Sequence, residues 1–193
     1  MKHPTTRMIF SYWDSLRGER SAPERGEIEP GEIRQVLADT VLLELTGERV
    51  AHVRLAGTRL CAFFCRELRG SPFAQLWTEE AADDLRQALD IVTGEAAGLV
   101  AGLTASTDGG AAVDFEMILL PLRHRGNQHC RILGSIAPAL VPSWLGFDPV
   151  ARFRMGSLRV LRPSPCGEVG FGRSDDPPEE RRRRFAVHSG GRA

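Results

Sequence analysis

The hydrophobic positions change period along the chain, and the changes mark its elements. Met8, Ile9, Tyr12, Trp13 and Leu16 recur as one helical stripe with Arg7, Asp14 and Arg17 off it, and Thr5 or Thr6 is placed to cap the start. Residues 18–26 break that period, and Pro30 opens a second short helix presenting Ile33, Val36 and Leu37. The period then shortens to two. Val41, Leu43 and Leu45, then Ala51, Val53 and Leu55, read as two strands joined by a turn at Thr46-Gly47-Glu48. A short helical piece over 57–65 puts Leu60, Phe63 and Phe64 on its apolar side, and Phe73, Leu76 and Trp77 anchor the loop that follows. Thr78 precedes a clearer helix over 79–95 that turns Ala82, Leu85, Leu89 and Val92 inward. Strands are predicted at 98–106, 111–122 and 129–137, the first two joined by the hairpin turn Thr107-Asp108-Gly109-Gly110. Trp144 to Phe147 is expected to fold back on the body. Beyond about Arg162 the aliphatics thin out in favour of Pro, Gly, Ser and charge, which predicts a disordered tail.

Two consecutive hairpins at the end require antiparallel pairing. The economical packing is an α+β fold, a five-stranded antiparallel sheet with helices on one face, preceded by an N-terminal helical extension. The domain plan is a helical cap over 1–38, the sheet domain over 39–150, and a C-terminal extension over 151–193.

Composition narrows the function. With 193 residues, 42% of them hydrophobic, the chain can bury one core. Its formal net charge is zero, split between 15 basic and 20 acidic residues in 1–150 and 10 basic and 5 acidic in 151–193. Bulk charge therefore argues for neither nucleic acid nor membrane, and the Arg181–Arg184 run, preceded by Glu179-Glu180, reads as solvated tail. No apolar run approaches a membrane span and no signal-peptide pattern opens the chain, so a cytoplasmic protein with reduced thiols is expected.

The candidates for chemistry are few. Cys61 and Cys65 sit one helical turn apart, and a zinc ion held there would need His52 or Cys130 as well; core packing is the simpler reading, and no metal is expected. Cys130 and Cys166 are isolated in sequence. His124 and His129 flank a hairpin turn, and His52 points outward from its strand. The consecutive pair Asp83-Asp84 points in two directions on a helix, and Glu79-Glu80 sits where the macrodipole favours acid. No G-x-S-x-G, H-E-x-x-H or G-x-x-x-x-G-K occurs. No catalytic residue and no enzyme activity is expected.

The order of elements resembles the PAS fold. Tyr12-Trp13-x-x-Leu16-Arg17, Arg20-x-x-Pro23-x-Arg25, Glu67-Leu68-x-Gly70 and Leu120-Pro121-Leu122 resemble a family of stand-alone bacterial PAS proteins, best populated in alphaproteobacteria and formerly a domain of unknown function. The resemblance spans about 6–160. It implies a sensory or regulatory module that acts in signal transduction by binding. A ligand pocket between sheet and helices would be lined by Phe63, Phe64, Phe73, Leu85, Leu89, Phe115, Met117 and Ile132. The N-terminal stripe of Met8, Ile9, Tyr12, Trp13 and Leu16 would face either a second subunit, making a homodimer interface, or the chain's own sheet. Neither haem nor flavin is expected. The helix over 79–95 has no histidine, Phe64 precedes Cys65 where flavin-adduct relatives carry Asn, and Asn127 is the only asparagine. The expected partners are a second copy and an unidentified signalling protein; the alternative reading is a sensor with a small apolar ligand in the pocket.

Overall fold

The computed structural model describes residues 1–46, 50–124 and 127–162, the last segment without side chains at 127–129. Helix α1 (Pro4–Arg17) leads through turns into strands β1 (Thr40–Leu45) and β2 (Ala51–Ala56). Helix α2 (Thr58–Phe63), 3₁₀ turns at Phe73–Leu76 and Glu79–Ala81, and helix α3 (Ala82–Gly94) follow. Strands β3 (Gly98–Ser106), β4 (Ala112–His124), β5 (Asn127–Pro138) and β6 (Arg154–Leu161) complete the fold. All six strands lie in one antiparallel sheet of order β2-β1-β5-β4-β3-β6. The β3–β4 hairpin pairs Ser106 with Ala112 across the predicted turn, where Gly110 takes a φ of +83°. The turn expected at Thr46-Gly47-Glu48 falls mostly outside the described residues, as do the tail beyond 162, Cys166 and Arg181–Arg184.

The sheet has six strands, not five. β6, expected within a C-terminal extension, runs antiparallel to β3 from Gly98↔Leu161 to Thr104↔Arg154 and covers the edge that five strands would leave open. Its centre is Gly156-Ser157, so no alternation announces a strand. Those small residues let the backbones approach: a Cβ on Gly102 would stand 3.0 Å from Ser157 Oγ, and one on Gly156 would stand 3.3 Å from the Gly102 carbonyl.

Helical elements cover both faces of the sheet. On one face, α2 and α3 pack with Val41, Leu43, Leu99, Leu103, Phe115, Met117 and Ile132. On the other, Ile9 and Trp13 of α1 pack with Val100, Ile118, Leu120, Leu122 and Leu133. Because β4 is enclosed from both sides, its run Met117–Leu122 is buried at every position.

Several local expectations shift. The cap of α1 is His3, whose Nδ1 accepts from the Thr5 N–H at 3.2 Å, because Pro4 takes the first helical position. Thr5 and Thr6 are themselves buried. The helix expected at Pro30 is a series of turns ending in a 3₁₀ turn at Leu37–Asp39, although Ile33 and Val36 are buried as predicted. The stripe of α3 is Leu85, Ala88 and Val92, while Ala82 is exposed. Among the described residues, no helix is long and apolar enough to cross a membrane.

The entry to α2 is the tightest junction. Gly57 donates its N–H to the Thr40 carbonyl at 2.7 Å, and a Cβ there would lie 2.2 Å from the Leu37 carbonyl oxygen and 2.3 Å from that of Ala38. Backbone atoms on both sides cannot retreat. Gly57→Ala should therefore cost at least about 3 kcal/mol, lowering the melting temperature by on the order of 10 °C. Gly26→Ala, with nothing within 4 Å, should change stability by less than about 0.5 kcal/mol. Equal melting points for the two variants would refute this account of the junction.

Candidate functional site

The eight residues expected to line a pocket gather in one cluster between the sheet and α2–α3. α2 contributes Phe63 and its C-cap Phe64, the 3₁₀ turn Phe73, α3 Leu85 and Leu89, β4 Phe115 and Met117, and β5 Ile132. All are buried except Leu89, which is partly so. Their rings join a larger set. Phe64 meets Phe153 at 5.2 Å, Phe153 meets Phe115 at 5.2 Å, and Phe115 meets Phe63 at 4.8 Å, all edge to face. Trp77 lies 5.7 Å from both Phe73 and Phe153. Phe153, completely buried, escapes sequence reasoning because it directly precedes β6; it is the one bulky apolar residue in an otherwise Arg-flanked stretch. The Trp77 indole N–H is buried within this cluster and has no hydrogen-bond partner among the described residues.

The N-terminal stripe faces the chain's own sheet. Ile9 and Trp13 are 0% and 2% exposed, so neither can anchor a second subunit while α1 is docked. The Trp13 indole donates to the Pro121 carbonyl at 2.8 Å, and the Arg17 guanidinium sits 5.5 Å from the centre of the Trp13 ring. The Tyr12 hydroxyl accepts from the Glu29 N–H at 2.7 Å, and Arg20 forks onto the Glu27 carboxylate at 2.8 and 2.9 Å. Arg123 donates its backbone N–H to the Pro23 carbonyl at 2.9 Å. The motif residues of the helix and connector thus hold a cap onto β4. Tyr12 and Leu16 are partly buried against it, and the outward side of α1 is Arg7, Met8, Ser11 and Ser15, of which Met8 alone is a large hydrophobe. The physical reason is the second apolar face of β4, which alternation alone does not reveal; the unbroken run Met117–Leu122 is the signal for it.

Beneath the first turn of α1 lies most of the buried polarity. Thr5, Thr6, Asp39, Thr40 and Ser135 are buried there or in the adjoining strands, with Thr40 paired to Ser135. Glu116 accepts from the backbone N–H groups of Lys2 and His3 at 2.7 and 2.9 Å. Burial pushes its carboxylate up, but those donors outweigh burial and hold it below the usual range. Asp39 accepts from the Arg59 guanidinium at 2.6 and 2.8 Å; here burial outweighs Arg59, His3 and the Thr5 hydroxyl and raises the carboxyl. On β1, Glu44 pairs with Arg54 and Arg131.

Cys61 and Cys65 do not share a helix face. α2 ends at Phe63, and Cys65 is exposed with a φ of +47° and its Sγ 3.5 Å from the Ala62 carbonyl. Cys61 is partly buried with its Sγ 3.7 Å from the Glu67 carboxylate, and burial raises its thiol. Among the described residues, no three His, Cys, Asp or Glu side chains converge as a metal site.

The segment between β5 and β6 is a built loop. The Phe147 and Asp148 N–H groups donate to the Trp144 carbonyl at 3.0 and 3.2 Å, and Gly146 turns the chain at a φ of +85°. Val150 donates to the Phe63 carbonyl at 2.8 Å, and the Trp144 ring sits 6.1 Å from Phe63, edge on. Trp144 and Leu145 pack on the core as expected, while Phe147 does not.

Trp13→Ala should cost about 3–5 kcal/mol of folding stability, and Trp13→Phe, which keeps the ring but loses the bond to Pro121, about 1 kcal/mol, both by urea unfolding. A Trp13→Ala variant of unchanged stability would refute intramolecular docking. The two carboxyls should show opposite pH behaviour. Glu116, depressed by folding, contributes stability that is present above its unfolded pKa and lost as pH falls through its folded value. The deficit of Glu116→Gln at neutral pH should therefore shrink on acidification. Asp39 is raised, so the wild type gains stability as pH falls through its folded value, and Asp39→Asn should lose ground against it over that range. Parallel stability–pH curves for the wild type and both variants would contradict these assignments.

A family model described as PAS domain matches residues 1–137. No curated protein matches the chain. Solved structures similar to it include the Rhodobacter sphaeroides LOV protein, at 16% identity over 60% of this chain and 71% of that one with a TM-score of 0.41. An RsLOV d2 variant matches at 19% identity over 57% of this chain and 66% of that one, TM-score 0.40. An RNA-binding Light-Oxygen-Voltage receptor matches at 16% identity over 60% of this chain and 35% of that one, TM-score 0.42. With the family model running from α1 through β5, this chain belongs to the PAS domain family.

Proposed function

We propose that the chain is a non-catalytic sensory or regulatory module that signals through contact with another protein. The observation that carries this reading is the unbroken path of rings from the core to the surface: Phe64, Phe153, Phe115, Phe63, then Trp144 on the loop over 139–149. A close-packed interior transmits displacement, so repacking in the core shifts the loop. That loop carries three exposed large hydrophobes, Leu140, Val141 and Phe147. The polar groups are committed elsewhere: Asp39, Glu44 and Glu116 are bound by Arg or backbone donors that hold the fold together. Among the described residues, Cys61 and Cys65 carry free thiols.

The same cluster argues against a flavin. Its rings pack edge to face against one another, and the Cys65 thiol is at the surface. One observation favours the ligand-sensor reading instead: the unpartnered Trp77 N–H is a buried donor that an acceptor on a small apolar ligand would satisfy. An absorption spectrum and a native mass spectrum of the purified chain decide between them. We expect no visible band and the mass of the polypeptide alone; a chromophore or an added small mass would overturn the contact-only reading in favour of the sensor. The ring path is tested by Phe63→Leu. Amide exchange at Phe147 and Asp148 should quicken by on the order of three- to tenfold, the weight of one aromatic contact, with exchange in α1 unchanged. Unaltered exchange in the loop would refute the path.

A further inference from the structure

We propose that the loop over 139–149 is a docking knob for a partner protein whose receiving cleft is apolar and edged with Lys or Arg. The inference rests on the regulatory reading above and deepens it by naming the chemistry of the partner. Among the described residues, the exposed large hydrophobes are Met8, Leu55, Leu140, Val141 and Phe147, and three of these five share this loop. Leu140 and Phe147 are 82% and 88% exposed. Single exposed hydrophobes need no explanation; a group on one short loop does.

The loop presents them in a fixed frame. At one end the Ala139 N–H donates to the Asp114 carbonyl at 2.8 Å; at the other the Val150 and Ala151 N–H groups donate to Phe63 and Ser106 at 2.8 and 2.9 Å. Trp144, turned inward on Phe63, anchors the middle. A side chain held out by such a frame loses little freedom on binding, the condition for a strong contact. Leu140 and Phe147 stand almost wholly in solvent, so they fit a concave site.

Charge decides among occupants. The knob and the hairpin it is bonded to, residues 138–152 and 105–115, carry Asp108, Asp114 and Asp148 against a single cation, Arg152. Asp108 and Asp114 are exposed, and Asp148 Oδ2 lies 3.6 Å from where a Cβ on Gly109 would stand, which places it beside the hairpin tip. An acidic rim around an apolar centre repels an anionic lipid surface and repels a second copy of the same knob; it complements a basic rim. The knob lies beyond residue 137, where the family match stops.

The test uses the full chain and two synthetic amphipathic helical peptides of equal length, one built of Leu and Lys, the other of Leu and Glu, followed by fluorescence anisotropy. The Leu/Lys peptide should bind, more weakly at high salt, and the Leu/Glu peptide should not. The double variant Leu140→Ser, Phe147→Ser should lower affinity by about tenfold or more while leaving the melting temperature unchanged, since both side chains are exposed. Equal affinity of the variant and the wild type, or equal binding of both peptides, overturns the proposal. So does a wild-type dimer in sedimentation that the double variant dissociates, because a second copy then covers the knob. Binding of the wild type, but not the variant, to phosphatidylserine vesicles overturns it in favour of a membrane. Faster loop exchange in Phe63→Leu alongside no peptide binding refutes this partner class and spares the regulatory reading; peptide binding without that exchange effect does the reverse.

Discussion

Strand β4 is apolar on both sides from Met117 to Leu122, and one layer of helices cannot cover it. Every large decision in the fold follows from that constraint. Met117 and Leu119 face α2 and α3, while Ile118, Leu120 and Leu122 face the other way and would be left in water without α1. Burying a side chain of that size is worth roughly 1.5–3 kcal/mol, so the stripe of α1 is drawn to its own sheet. Trp13 completes the closure by donating to the carbonyl of Pro121, a residue that itself has no N–H to offer the ladder.

Docking the cap brings polar backbone with it, and the chain meets that cost locally. The start of α1 is held by the Glu116 carboxylate, and the connector into β1 is held by Asp39 and Arg59 on either side of the contact at Gly57. These carboxylates are structural, one stabilised by its donors and the other dominated by burial. The cap and the sheet are therefore one compact unit, joined by residues that resemble a family signature.

The opposite face has a different logic. There the rings of Phe63, Phe64, Phe115 and Phe153 interlock, and the last of them arrives from the segment before β6. The sixth strand does more than close an edge. The loop that leads into it is held at Asp114 on one side and at Phe63 and Ser106 on the other, which sets Trp144 against the core and leaves Leu140 and Phe147 outside. Interior packing and exposed surface meet in a single element.

Much of this was legible in the residues. Period-two alternation located β1 and β2, and strand-length apolar stretches bounded by turns located β3 to β5, all to within two residues; Thr107-Asp108-Gly109-Gly110 placed a hairpin, and the apolar positions of α2 and α3 identified one core, because these signals depend on neighbours in sequence. The six-stranded sheet, the covered second face and the inward turn of Trp13 depended on tertiary structure. Gly156-Ser157 makes a strand only because Gly102 lies opposite, and an amphipathic stripe states that it will be buried without stating against what. The sequence by itself determined most of the side chains that leave water, with exceptions such as Phe147 and Phe153; the tertiary structure decided their partners, since burial is non-directional and only the two-sided sheet offers α1 a complementary surface within the same chain.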